Sequence, residues 1–180
     1  MSNSIIILGP MDVGKTTLAS SLANTLNKPR CSLDEIQWSY LAETDFDHKK
    51  VKALLRTDLE MFRLYADPYM VDVVERAILE HPGHIIDFGG GHTAFDDPNH
   101  ANRIKTILAP IPLVLLLMPS AVTDVSQQML PGPAEGKKMN PTFIEHPLQY
   151  ELSKHVIYTH GKNADAVSRE ARIWIQEHDN

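Results

Sequence analysis

The residues best suited to chemistry stand near the start of the chain, in the run SIIILGPMDVGKTT at positions 4–17. Gly9, Pro10, Met11, Asp12, Val13 and Gly14 lead into Lys15, Thr16 and Thr17 at the spacing G-x-x-x-x-G-K-T, which suits a phosphate chain. Such a chain is held by several backbone N–H groups aimed inward at once, and glycines at both ends of the loop let the backbone wrap without a Cβ in the way. The residues after the loop open a helix, whose free N–H groups and dipole add about half an elementary positive charge. Lys15 is then expected to reach the β- and γ-phosphates and Thr16 a Mg²⁺ ion, so ATP and Mg²⁺ are the expected cofactors. For that work Lys15 should be exposed. An ordinary strand-turn-helix is the competing reading, and the apolar strand before the loop and the helix after it favour phosphate.

Further candidates lie at the ends of later apolar runs. Asp34 follows a short strand, where it is either the N-cap of a new helix or an acid facing a ligand, since open parallel sheets bind ligands beyond the carboxyl ends of their strands. Asp87 ends the apolar run before Gly89, Gly90, Gly91 and His92. Its position is that of an acid holding Mg²⁺ or its water in phosphate-loop enzymes, or of one bonding the local backbone. The metal set expected is Thr16 with Asp87. The histidines His81, His84, His92 and His100 lack zinc-ligand spacing, and Cys31, the single cysteine, reads as a small apolar strand residue.

These residues need a scaffold. Alternating strands and helices are expected along the whole chain: strands at 5–8, 30–33, 84–88, 113–118 and 155–159, helices at 15–26, 34–42, 98–108, 120–130, 145–154 and 164–176. Residues 47–80 read as two helices broken at Asp67-Pro68, because proline cannot continue a helix and restricts its predecessor. Leu113 to Met118, the most hydrophobic run, is expected at the centre of the sheet. Five alternations imply an α/β fold with a parallel sheet. Residues 131–141 carry three prolines and two glycines and cannot be regular, which makes about 131–144 the candidate lid. A single domain over 1–180 is expected, for 43% hydrophobic content supports a sizeable core and no linker or repeat divides the chain. The net charge of −6 argues against nucleic acid or an anionic membrane as partner, and no apolar run spans a bilayer. A cytoplasmic protein with no obligate protein partner is the default.

The run from Gly9 to Asp34, the glycine triplet after the third strand, and Pro147 to Tyr150 followed by a strand and Gly161-Lys162 together resemble shikimate kinase and its relatives in the nucleoside-monophosphate-kinase group. The resemblance covers most of the chain. It implies a P-loop NTPase three-layer fold with sheet order 2-3-1-4-5, a Walker A loop, and a substrate-side helical region over about 34–80. It also implies an acceptor hydroxyl near Asp34, with Gly89, Gly90 and Gly91 letting the backbone approach the substrate. His92 is expected to face that substrate and donate to its oxygen. Lys162 falls where related kinases pass under the adenine, or in a simple turn.

Departures from the family's pattern redirect two expectations. The second strand of the family ends D-x-D, its first acid helping to hold Mg²⁺, whereas here the place reads Ser32-Leu33-Asp34, so the metal-side acid is expected to have moved to Asp87. No arginine falls near Pro68-Tyr69, and His146 stands where an arginine would grip the acceptor's carboxylate; shikimate is therefore a poor fit, because histidine cannot imitate the guanidinium fork. Between Arg103 and Arg169 there is no arginine, which leaves Lys137 and Lys138 as the lid cations. The expected activity is ATP-dependent phosphoryl transfer, with Lys15, Asp34 and Asp87 catalytic, to a small-molecule hydroxyl. The alternative is an ATP-binding or slowly hydrolysing module with a regulatory role.

Overall fold

The computed structural model describes residues 3–130 and 139–179. Its centre is a five-stranded parallel sheet of order β2-β3-β1-β4-β5, the order that the resemblance implies. The strands are β1 (Ile5–Leu8), β2 (Arg30–Ser32), β3 (Ile85–Asp87), β4 (Leu113–Met118) and β5 (His155–Tyr158). β1 occupies the middle, and β4, expected there, lies beside it. Hydrophobicity does not separate the two, because every side chain of both is buried. Period-2 alternation sends Ile6, Leu8, Ile86, Val114 and Leu116 into one core, and Ile5, Ile7, Ile85, Leu113, Leu115 and Leu117 into the core on the opposite face.

Helix α1 (Lys15–Leu26) packs Leu18, Ala19 and Leu22 into the second core together with Val167, Ala171 and Ile175 of α9 (Ala164–His178). The first core takes α2 (Leu33–Leu41), α4 (Leu59–Glu80), α5 (Pro98–Leu108) and α8 (Pro147–Leu152). Between α2 and α4 lies α3 (His48–Thr57), which has no fully buried residue, and α6 (Thr123–Met129) follows β4. Asn163 caps α9 by accepting from the Ala166 N–H.

The expected break at Asp67-Pro68 is absent: α4 runs for 22 residues through Pro68, which faces solvent, where water can satisfy the carbonyl left without a donor. The break lies at Asp58 instead. That residue ends α3 and caps α4, its side chain accepting from the Met61 N–H. Residues 140–144, expected within the lid, form with Glu145 helix α7 (Asn140–Glu145), with Pro141 in the first turn where its missing N–H costs nothing. The helix expected over 145–154 is thus divided at His146-Pro147 into α7 and α8. Lys137 and Lys138 lie outside the described residues, as does most of the expected lid.

Candidate active site

The loop from Gly9 to Gly14 joins β1 to α1 at the carboxyl end of the central strand. Gly9 holds φ 145°, and a Cβ there would meet the Leu117 carbonyl at 2.4 Å. Asp12 takes a left-handed conformation, φ 64°. Lys15 departs from expectation. It is only 8% exposed, and its Nζ donates to the Pro10 carbonyl at 2.7 Å, within the loop it was expected to serve from outside. Burial lowers its pKa to about 8, against Asp34, Asp87 and Asp12, which raise it.

Thr16 and Asp87 meet as the sequence suggested, Thr16 Oγ1 donating to Asp87 Oδ2 at 2.9 Å. Asp87 is 3% exposed, and its other oxygen, Oδ1, has no hydrogen-bond partner, although Arg30 Nε stands 3.4 Å away as an ion pair. A buried carboxylate oxygen left without a hydrogen bond beside a threonine hydroxyl fits the oxygen-donor chemistry of Mg²⁺, which takes one or two protein oxygens and completes its shell with water and phosphate. Thr16 and Asp87 would hold it. Among the described residues no three His, Cys, Asp or Glu side chains form a metal cluster.

On the other side of the loop, a cavity of about 200 Å³ is bounded by Met11, Asp34, His92, Gly90 and Gly91 together with side chains of α2, α3 and α4. Asp34 stands in the first turn of α2 rather than at its cap, which is Ser32. The triplet works differently from the expectation. A Cβ on Gly89 would lie 2.1 Å from Asp34 Oδ1, and one on Gly90 would lie 2.5 Å from the ring of Phe143, so two glycines make room for protein side chains. Gly91 alone leaves open space.

His92 is 2% exposed, and burial lowers its pKa, opposed by Asp34 and the Gly89 carbonyl. Its Nδ1 lies 3.3 Å from that carbonyl, which can only accept, so Nδ1 carries the proton of the neutral ring. Nε2, buried and without a hydrogen-bond partner, is then an acceptor. The donor role expected of His92 is reversed by this tautomer. His146 does not line the cavity. It caps α8, Nδ1 accepting from the Leu148 N–H while Nε2 meets Asp96 at 3.2 Å.

Two residues escaped sequence reasoning. Arg63, on α4, lines the cavity in the region described as lacking arginine, one turn before Asp67. Helical i, i+4 spacing puts both on one face of the helix already expected ahead of Pro68. Asn140, 1% exposed, accepts from the Met11 N–H at 2.9 Å and donates to the Met11 carbonyl at 3.3 Å, so α7 grips the Gly9–Gly14 loop. Behind the loop, Val13, Gly14, Thr17, Leu117, Thr159 and Lys162 line a separate cavity of about 280 Å³. Lys162 pairs there with Glu170 of α9. Of the aromatic side chains between residues 34 and 80, Trp38 and Phe46 line the cavity beside Asp34, whereas Tyr40 bonds Glu80 and Tyr69 bonds Asp45.

No protein-family model matches the chain, and no characterised protein matches it in sequence. Solved structures do. Shikimate kinase from Acinetobacter baumannii in complex with shikimate has a TM-score of 0.61 at 17% identity, over 98% of this chain and 93% of that one. Shikimate kinase from Aquifex aeolicus has a TM-score of 0.61 at 16% identity, over 96% of each chain. A gluconokinase from Sinorhizobium meliloti has 0.56 at 12% identity, over 98% of each. The chain therefore has the fold of small-molecule P-loop kinases, shikimate kinase among them. At such identity the likeness is one of fold.

Proposed function

We propose that the protein transfers the γ-phosphoryl group of ATP to a hydroxyl of a small molecule. The observation that carries this is the convergence on one loop of two half-sites: Lys15 and the Thr16–Asp87 pair within and behind it, and the cavity with Asp34 and His92 opening at Met11. The nucleotide lies along Gly9 to Thr17, with Val13, Thr17 and Lys162 around its base. Lys15 leaves the Pro10 carbonyl for the β- and γ-phosphates, a stronger, charge-assisted partner. When bound at Thr16 and Asp87, Mg²⁺ would neutralise charge on the phosphate oxygens.

The acceptor's hydroxyl sits between Asp34 and His92. Its oxygen attacks the γ-phosphorus, the bond to the β–γ bridging oxygen breaks, ADP leaves, and the hydroxyl proton passes to the Asp34 carboxylate. His92, on the same side of the cavity as Asp34, packs beside that hydroxyl and positions it. Lys137 and Lys138 are proposed as the lid cations. The cytoplasm, where ATP is abundant, is the proposed setting.

The sequence observation that no arginine stands between Arg103 and Arg169 favours a second reading, a slowly hydrolysing ATP-binding module with a regulatory role. Two measurements separate them. Calorimetry with Mg·ATP on wild type and Lys15→Ala tests the loop, and equal affinity in the two would remove the assignment. ADP release over a panel of hydroxyl compounds tests transfer: release raised by an acceptor supports the kinase, and release indifferent to all of them supports the module.

A further inference from the structure

We propose that the acceptor cavity takes an uncharged alcohol with an apolar ring or short aliphatic body and discriminates against acids. This rests on the phosphotransferase reading and names the class of its substrate. The polar groups Asp34 and His92 stand together beside the loop, and the rest of the wall is mainly apolar: Trp38, Phe46, Val51, Leu55, Phe62 and Met70 come from α2, α3, α4 and the α2–α3 connection. At about 200 Å³ the space lies below the roughly 300–1,000 Å³ of drug-sized ligand sites, so the body is small.

The charge in the cavity points the same way. Among the described residues Arg63 is the one Lys or Arg that lines it, and it is already engaged: one terminal nitrogen pairs with Asp96 at 2.6 Å and the other donates to the Ala94 carbonyl. Asp67, one turn along α4, lines the same wall. Asp97 and Glu60 line an adjoining cavity of about 420 Å³ that shares Arg63, Asp67 and Met139. The guanidinium thus stands among carboxylates, with Asp34 a further negative charge at the phosphoryl end. His92 adds no positive charge, since burial holds its ring neutral. An incoming carboxylate must displace Asp96 from Arg63 or accept repulsion from Asp34 across a mainly apolar wall. An apolar alcohol sheds water from its body, and its hydroxyl exchanges a water partner for the Asp34 carboxylate.

The test uses matched pairs with the full-length protein: benzyl alcohol against 4-(hydroxymethyl)benzoate, and cyclohexylmethanol against its 4-carboxylate, with shikimate as a further acid. Binding is measured by calorimetry and ligand-observed NMR in the presence of Mg²⁺ and a non-hydrolysable ATP analogue, and turnover by ADP release with ATP. The neutral member of each pair is expected to bind at least tenfold more tightly than the acid. In Asp67→Asn/Asp96→Asn, which frees Arg63 at half-buried and exposed positions, the acids should gain and the gap should narrow. Acids binding as well as the alcohols in wild type, or no binding by either class, overturns the inference. Neutral alcohols that bind with the stated preference but never raise ADP release would sustain the cavity assignment and sink the kinase reading; acids preferred and phosphorylated would do the reverse.

Discussion

Ser32 and Asp87 are register partners across β2 and β3, so the strand end where related kinases carry an acid faces, one strand over, the acid this chain does carry. The carboxyl stays at the same level of the sheet and reaches Thr16 from β3. Arg30, one turn of the pleat away on β2, stands beside it and also binds Ser20 and Glu35. With serine at residue 32, the acid beside the loop comes from β3.

This relationship predicts an asymmetry. Asp87→Asn should weaken Mg²⁺-dependent ATP binding by tenfold or more, about 1.4 kcal/mol, because an anion beside the expected divalent cation is lost. Ser32→Ala should change it less than threefold, and Ser32→Asp in the Asp87→Asn background should recover part of the loss. Mg²⁺ titrations of ATP affinity in the three variants decide it, and equal effects of Asp87→Asn and Ser32→Ala would remove Asp87 from the metal site.

Lys15 gives a pH prediction. Its pKa of about 8 in the free protein means that the ammonium is largely present at pH 7 and largely lost at pH 9. Phosphate binds the charged form, so ATP affinity should fall by about tenfold from pH 7 to pH 9, following the protonated fraction of a group with that pKa. The slope should vanish in Lys15→Met. Calorimetry across the range checks it, and an unchanged slope in Lys15→Met would assign the titration to another group.

Asn140 should act through Met11. Asn140→Ala leaves both the N–H and the carbonyl of Met11 without their side-chain partner in a buried site, a loss of roughly 1–3 kcal/mol. Lower melting temperature is expected together with weaker ATP binding, since the loop loses its brace to α7. Asn140→Asp keeps the acceptor and loses the donor, and should retain part of both. If the alanine variant melts earlier yet binds ATP as wild type does, the clamp supports the fold and has no part in shaping the loop.

What was legible in the sequence was local. The loop, its strand and its helix are contiguous, and glycine spacing with a buried strand ahead is enough to place Lys15 and Thr16. Strand order came with the resemblance, because periodicity says which residues are buried and nothing about which strands pair. The grip of Asn140 on Met11 crosses 129 positions and leaves no trace in either segment. Arg63 lay in an expected helix, but spacing alone does not say which face of it meets the cavity; separately, Pro68 was taken to end that helix, yet it sits on the solvent side of one whose buried face carries Ala66, Val71, Val73, Val74 and Ala77. Burial of that face outweighs the lost hydrogen bond. The exposure expected of Lys15 failed because the loop's own Pro10 carbonyl takes the ammonium into the fold.

Asp67 offers a test of the electrostatics of the acceptor wall without any ligand. Burial pushes its carboxyl up to about 7, and Asp96 and Asp97 from the segment leading into α5 add to the shift, while Arg63 opposes it. A folded-state pKa above the unfolded value of about 3.8 means that the native state holds the proton more tightly between those pH values. Stability contributed by the protonated form is then complete below about pH 4 and is lost as pH rises through about 7. Asp67→Asn cannot ionise and escapes that loss. The variant should therefore gain little over wild type at pH 4.5 and on the order of 1–2 kcal/mol at pH 8, a figure kept below the full shift because the side chain is partly solvated. For a chain of this size that is a rise of roughly 2–8 °C in melting temperature at pH 8. Thermal melts of both proteins at the two pH values are the measurement. A gain of equal size at both would mean that Asp67 titrates as an ordinary surface carboxylate and that the wall around Arg63 is less negative than its geometry implies.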